Sequence, residues 1–158
     1  SVLHSSSFVV KKDVFSKVGR YNTSLKTGED TDLYVRIGLH FNVAFSSRIC
    51  AQHRLLKDSL SRSGVDLSSK ASFQEYEIQE VGNPALKKFL DLNRFSICVA
   101  AKLYGDKSTF QENFRKIDRS NLNGKQRFLI GLSRPALKAM IKLKSFLSSF
   151  GIRSSSFK

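Results

Sequence analysis

No run of about 18 apolar residues occurs anywhere in the 158-residue chain, so no membrane-spanning helix is expected. The opening, Ser1-Val2-Leu3-His4, has neither an initiator methionine nor the basic-then-apolar pattern of an export signal. No leader is therefore expected, and the chain reads as one that can begin in the middle of a longer protein. Cysteine is scarce: Cys50 and Cys98 stand 48 positions apart, with no CxxC or Cys/His spacing. That points away from a zinc site or a disulfide framework and leaves buried thiols in a reducing compartment as the expectation. Acidic residues are also few, 13 against 27 Lys and Arg. The deficit is uneven, since residues 1–63 carry 10 basic and 5 acidic groups while residues 119–158 carry 9 basic and none acidic. A tail of that kind is drawn to an anionic surface, either phospholipid or nucleic acid. Internal repeats, a Gly-rich phosphate loop and low-complexity segments beyond serine-rich patches are all absent.

What is present suffices for a core, with 41% hydrophobic residues. Ser7-Phe8-Val9-Val10 reads as a short strand, because β-branched and aromatic residues cluster there. A helix is predicted from Lys12 or Asp13 to Val18, stopped by Gly19. After a loop from Tyr21 to Thr27, a second helix is predicted. Thr27 caps it, Glu29, Asp30 and Asp32 occupy its first turn, and Leu33 and Ile37 lie on its apolar face with Tyr34 and Phe41 beside them. Asn42-Val43-Ala44-Phe45 reads as another strand, and Ile49 to Arg54 as a further one. The polar stretch from Lys57 to Ser72 reads as a loop or connection. Beyond it the pattern is helical. One helix starts at Asn83-Pro84 and stops at Gly105, and a second begins at the Ser108/Gln111 capping box and runs to Ile117. Two more follow, near Lys125–Leu132 and Pro135–Phe150.

Three carboxylates within four residues, Glu29, Asp30 and Asp32, crowd negative charge in a chain otherwise poor in acids. The helix N-terminus compensates part of it, and Arg36, a metal ion or a bound polar substrate can supply the rest. A carboxylate fixed in a first helical turn is placed to take a proton from a substrate hydroxyl. The same residues also serve simply as helix caps, and chemistry alone favours that reading.

The order Phe8 through Gly19-Arg20-Tyr21-Asn22, then Leu25, then Gly28-Glu29-Asp30-Thr31-Asp32-Leu33-Tyr34-Val35-Arg36-Ile37 resembles the second half of bacterial family 2 glycosyltransferases of the GT-A fold. In that family an apolar strand leads to a helix ending near Val-Gly, and then to an acidic pair three residues before a Leu or Trp and six before an Arg; Asp30, Leu33 and Arg36 meet that spacing. The likeness covers residues 5–63. It implies an α/β chain, the C-terminal half of a GT-A (nucleotide-diphospho-sugar transferase) fold over residues 1–63, with a mainly helical extension over 64–158. The implied activity is inverting transfer of a hexosyl group from a nucleotide sugar to a glycan or lipid-linked acceptor, in polysaccharide synthesis. Asp30 maps onto the base, with Glu29, Asp32 and Arg36 in supporting or acceptor-binding roles. His53 maps onto a position that in some members reaches the divalent metal, Mn or Mg, expected for the complete enzyme. Asp30-Thr31-Asp32 reads as DxD, but it follows a Gly-Glu at a helix start, not a strand, and is taken as the base motif. With no second DxD the donor half is missing, and this part alone is expected to be inactive.

In the tail, basic residues from Arg134 to Arg153 alternate with apolar ones. They suggest a helix lying on anionic phospholipid, at the cytoplasmic face of the plasma membrane, as readily as a terminal helix packed on its own domain. Two further expectations stand beside the enzymatic one: a basic helical module for nucleic acid, disfavoured by the interleaved apolar residues, and a non-catalytic interaction module.

Overall fold

A computed structural model describes residues 4–49, 51 and 73–149. The chain divides into two compact units, Ser1–Glu75 and Tyr76–Lys158. Each is helical.

In the first unit α1 (Lys12–Val18) and α2 (Glu29–His40) pack together. Val18, Leu33 and Ile37 are buried between them, with Val14 and Phe15 alongside. Gly19 ends α1 at φ 76°, a backbone setting that suits glycine, and its N–H bonds the Phe15 carbonyl. The cap of α2 differs from expectation. Gly28, at φ 85°, occupies the cap position and has no side chain to bond the free amides there. The Thr27 hydroxyl is buried with no hydrogen-bond partner among the described residues.

The expected strands are not formed. Neither 7–10 nor 42–45 belongs to a strand, and no sheet exists among the described residues; of the third expected strand, 49–54, residues 50 and 52–54 lie outside them. A segment becomes a strand only when a neighbour takes its N–H and C=O groups, and these two line one open cleft with no strand pairing among the described residues. The α/β expectation is therefore overturned, and with it the resemblance to GT-A family 2 glycosyltransferases, whose architecture is built on a sheet. Propensity at Phe8-Val9-Val10 and Asn42-Val43-Ala44-Phe45 was a local signal that no pairing completes.

The second unit contains α3 (Glu77–Val81), α4 (Pro84–Tyr104), α5 (Lys107–Lys116), α6 (Gly124–Gly131) and α7 (Arg134–Ser149), with 3-10 turns at Gln74–Tyr76, across the unit boundary, and at Arg119–Asn121. The 21-residue α4 is the central element, touching every other helix of its unit. Phe95, Cys98, Ile117, Leu122 and Ile130 form the core, and Phe110 and Phe114 stack at 5.3 Å beside it. Asn83 caps α4 by accepting the Leu86 N–H, and Gly105 ends it in the left-handed conformation. Its φ of 86° is the setting that favours glycine, and a β-carbon there would stand 2.9 Å from Arg134 Nη1, a flexible side-chain end that would have to shift.

Capping chemistry also sets the next two starts. Asp106, not Ser108, caps α5, because its carboxylate accepts the Thr109 N–H two positions earlier than the Ser108/Gln111 spacing suggests. Asn123 and Gln126 form a reciprocal capping box that starts α6.

Candidate functional site

The acidic cluster lies in the first turn of α2, and the structure sorts its members. Asp32 is 2% exposed, and Arg36, one turn later, grips it with Nη2 to Oδ2 at 2.6 Å and Nε to Oδ2 at 3.1 Å. The same guanidinium donates to the Val18 and Arg20 carbonyls, the latter at 2.9 Å. Arg36 therefore joins the C-terminal end of α1 to the start of α2. Glu75 also approaches Asp32; burial, and then the neighbouring Asp32 carboxylate, raise its pKa, while Arg36 opposes the shift. Of the acidic cluster, Asp32 is the member that Arg36 engages.

Asp30 is placed differently. It is partly exposed, and its Oδ1 accepts the Thr31 N–H at 2.7 Å. Tyr34 stands one turn on, buried against Phe8 with ring centroids 5.4 Å apart, and its pKa is raised by burial first and by the Asp30 charge second. Glu29 is partly exposed beside them. Among the described residues no group of three His, Cys, Asp or Glu side chains is arranged to hold a metal ion. His53 lies outside the described residues.

The second unit holds a polar network that the sequence reading missed. Asp91, fully buried in α4, accepts from Lys87 Nζ at 2.6 Å, Arg94 Nη1 at 3.3 Å, the Asp118 N–H at 3.1 Å and Asn121 Nδ2 at 2.8 Å. Arg94, also fully buried, pairs with Glu80 at 2.7 Å. The Lys87–Asp91 and Asp91–Arg94 spacings of four and three were readable in the sequence as helical pairs. The donors at Asp118 and Asn121 were not, because they reach Asp91 across 27 and 30 residues.

Four basic side chains cap the carbonyl ends of helices other than their own. Arg36 serves α1, Lys87 bonds the Lys116 carbonyl of α5 at 2.6 Å, and Lys102 bonds the Ile130 and Leu132 carbonyls at the end of α6. Arg134 bonds the Leu103 carbonyl of α4 at 3.1 Å. Cations are favoured at helix C-termini, where the dipole is negative. Burial lowers the Lys102 pKa, and its ammonium sits 4.7 Å over the Phe110 ring. Burial also pushes the Cys98 thiol up to about 12, which keeps it neutral and unreactive.

Asp106, Asp118 and Glu77 are all held below the ordinary carboxylate range, by hydrogen bonds from Thr109, from Ser120 and from Lys116 respectively. A depressed folded pKa contributes stability that is complete above the unfolded value and is lost as pH falls through the folded one. Helicity should therefore fall more steeply below about pH 4. The double variant Asp106→Asn/Asp118→Asn keeps cap acceptors that do not titrate, and should show a shallower acid slope in circular dichroism; an unchanged slope would remove these caps from the acid response.

The basic tail is a helix, α7, and its two ends differ. Leu137 is 1% exposed and anchors the first turns against α4, with Arg134 engaged as described. From Lys138 to Lys144, and at Phe146, every side chain is exposed. Met140, Leu143 and Phe146 follow one another at three-residue spacing, the last two 56% and 61% exposed. Lys138 and Lys142, four apart, share another face, and Lys144 interrupts the apolar one. No described helix is long and apolar enough to cross a membrane.

No family model, curated protein or solved structure matches this chain. The family 2 glycosyltransferase assignment, already without its sheet, has no support from that side.

Proposed function

We propose that this chain is a helical module that attaches reversibly to anionic phospholipid surfaces through the outer turns of α7. One observation carries the reading: after its anchor at Leu137, α7 exposes Met140, Ile141, Leu143 and Phe146 next to Lys138, Lys142 and Lys144. Exposed apolar side chains interleaved with lysines suit an interface that is oily below and negatively charged above. The 16 residues of α7 extend roughly 24 Å, too short to span and long enough to lie in the surface plane. Each lysine adds about 1 kcal/mol at an anionic leaflet. The cytoplasmic leaflet of a plasma membrane is the surface of that charge.

The test is co-sedimentation of the full chain with phosphatidylserine/phosphatidylcholine vesicles and with phosphatidylcholine alone. Binding is expected only to the anionic vesicles and should weaken with salt. Lys138→Ala/Lys142→Ala should lower the partition coefficient roughly 30-fold, the equivalent of about 2 kcal/mol. Equal binding to neutral vesicles, or a stronger preference for duplex DNA over anionic vesicles, would sink the proposal. The DNA result would move the assignment to a nucleic-acid module.

A second reading rests on Asp30 alone. Arg36 engages Asp32, and Asp30 stays partly exposed at the start of a twelve-residue helix. Such a carboxylate can deprotonate an acceptor hydroxyl during sugar transfer from a nucleotide sugar, with the donor site and any metal supplied outside these residues. Asp30→Asn in the complete protein should then abolish transfer while calorimetry shows sugar-nucleotide binding intact; retained turnover removes Asp30 from that role.

A further inference from the structure

The chain carries no acidic residue after Asp118, so α6 and α7 belong to a stretch of one charge sign. Gln126 and Ile130 are the buried residues of α6. Phe128 stands two positions from each, a rotation of roughly 200° along a helix, and is 60% exposed. Its ring therefore sits on the crest of α6, on the side away from the core. Arg127, one position earlier, is exposed as well, and among the described residues no carboxylate pairs with it. A single exposed phenylalanine is ordinary on a protein surface. What distinguishes Phe128 is where its helix is fixed.

Only Leu132 and Ser133 join α6 to α7, and both helices are fastened to the same end of α4. Lys102 bonds the Ile130 and Leu132 carbonyls at the end of α6, and Ile130 packs in the core with Phe95 and Cys98. Arg134 bonds the Leu103 carbonyl, and Leu137 packs the start of α7 against α4. On α7, Leu143 lies roughly 120° and Phe146 roughly 180° around the helix from Leu137, and both are more than half exposed. Each helix thus turns apolar side chains away from one shared support. Exposed cations stand beside them, Arg127 on α6 and Lys138 and Lys142 on α7. Aromatic rings and cations on neighbouring, firmly held helices match a surface with an apolar interior under an anionic layer. A nucleic-acid strand could stack on Phe128 but would leave Met140 and Leu143 in water.

We infer that the crest of α6, Phe128 with Arg127, is a second lipid contact, so that attachment to an anionic bilayer has two points and fixes how the Tyr76–Lys158 unit is oriented on the surface. The inference rests on the reading of α7 as the first attachment. One helix lying among headgroups leaves the domain behind it free to roll about the helix axis. A second insertion, from a helix fastened to the same α4, removes that freedom. Phe128 enters the acyl boundary while the Arg127 guanidinium stays with the phosphates at headgroup level. Because α6 is already held by α4 before it meets lipid, this contact requires little further ordering.

The chain has no tryptophan, so one can be placed at each contact as a reporter. Phe128→Trp and Leu143→Trp, each in the full chain, are titrated with phosphatidylserine/phosphatidylcholine vesicles. At both positions emission should shift to the blue, and bromine on the acyl chains should quench it. Quenching at position 143 with position 128 still in water overturns the second contact and leaves α7 attached alone. No change at either position removes the second contact and the α7 reading together. A blue shift at position 128 without bromine quenching places that ring in a protein contact and also overturns the inference. Arg127→Ala should lower the vesicle partition coefficient about fivefold, with the urea midpoint unchanged because the side chain is exposed. Undiminished partition would take Arg127 out of the headgroup contact.

Discussion

Asp91→Ala should destabilise the Tyr76–Lys158 unit by about 3–5 kcal/mol, read as a lower urea midpoint in far-ultraviolet circular dichroism. The reason lies in how much converges on one carboxylate. Two cations and two neutral donors point at Asp91, which has no exposure to water. Its removal leaves Arg94, equally buried, with Glu80 as its ion-pair partner. That guanidinium is already under-served, since its Nε and Nη2 find no acceptor among the described residues. A buried cation that loses one of two counter-charges is far costlier than an exposed pair broken at the surface. The loss also detaches the Asp118–Asn121 turn from α4. Asp91→Asn keeps an acceptor and the volume, and should fall between the parent and the alanine variant. A cost for Asp91→Ala under about 1 kcal/mol would show that the donors are served elsewhere, and that the network contributes no more than an ordinary hydrogen bond.

Arg36→Met is the second large effect, expected at about 3 kcal/mol in the α1–α2 pair. Methionine keeps most of the aliphatic stem, so the change isolates the guanidinium. Asp32 would then be a nearly buried carboxylate without the guanidinium that donates twice to its Oδ2, with Glu75 close by. The Val18 and Arg20 carbonyls would lose their donor at the same time. Amides of Leu33 to Ile37 should exchange with deuterium on the order of a hundredfold faster, the equivalent of a loss near 3 kcal/mol. Unchanged exchange would mean that the apolar contacts of Val18, Leu33 and Ile37 alone hold these helices together. Because Asp30 is untouched by this substitution, it also separates a structural contribution of the acidic cluster from a chemical one.

The helices of this chain were largely legible in its sequence, and the reason is local chemistry. Asn83-Pro84 and Gly105 bound α4 because a side-chain cap, a fixed φ and a left-handed terminus are properties of individual residues. The first helix was found for the same reason at Gly19. Where two caps competed, the sequence was ambiguous. Ser108 and Asp106 both suit an N-terminus, and the carboxylate takes it; Thr27 suits one too, yet Gly28 occupies the position.

The fold class was misread because strand propensity says nothing about a partner. Phe8-Val9-Val10 carries the composition of a strand, and only pairing with distant backbone could make it one. The likeness to a glycosyltransferase rested on Asp30, Leu33 and Arg36 at intervals of three. Those are also the intervals of any amphipathic helix that buries Leu33 and closes an Asp32–Arg36 pair one turn long. The spacing was real and its cause was helical geometry. The candidate membrane site was legible as an acid-free basic tail, but the division of its cations was not: Arg134 caps α4, and Lys138, Lys142 and Lys144 point to solvent.

The cations that cap foreign helix ends have a consequence for how this protein meets salt. Arg134 and Lys102 bond neutral carbonyls in place of carboxylates, so they stiffen the bundle without cancelling any of the formal +14 charge. Short-range hydrogen bonds of this kind persist when ions are added, whereas repulsion among like charges fades beyond a Debye length of about 10 Å at 0.1 M. Moderate ionic strength should therefore tighten the folded chain while loosening the proposed grip on an anionic bilayer. On that proposal, folding and attachment respond to the same counterions in opposite directions.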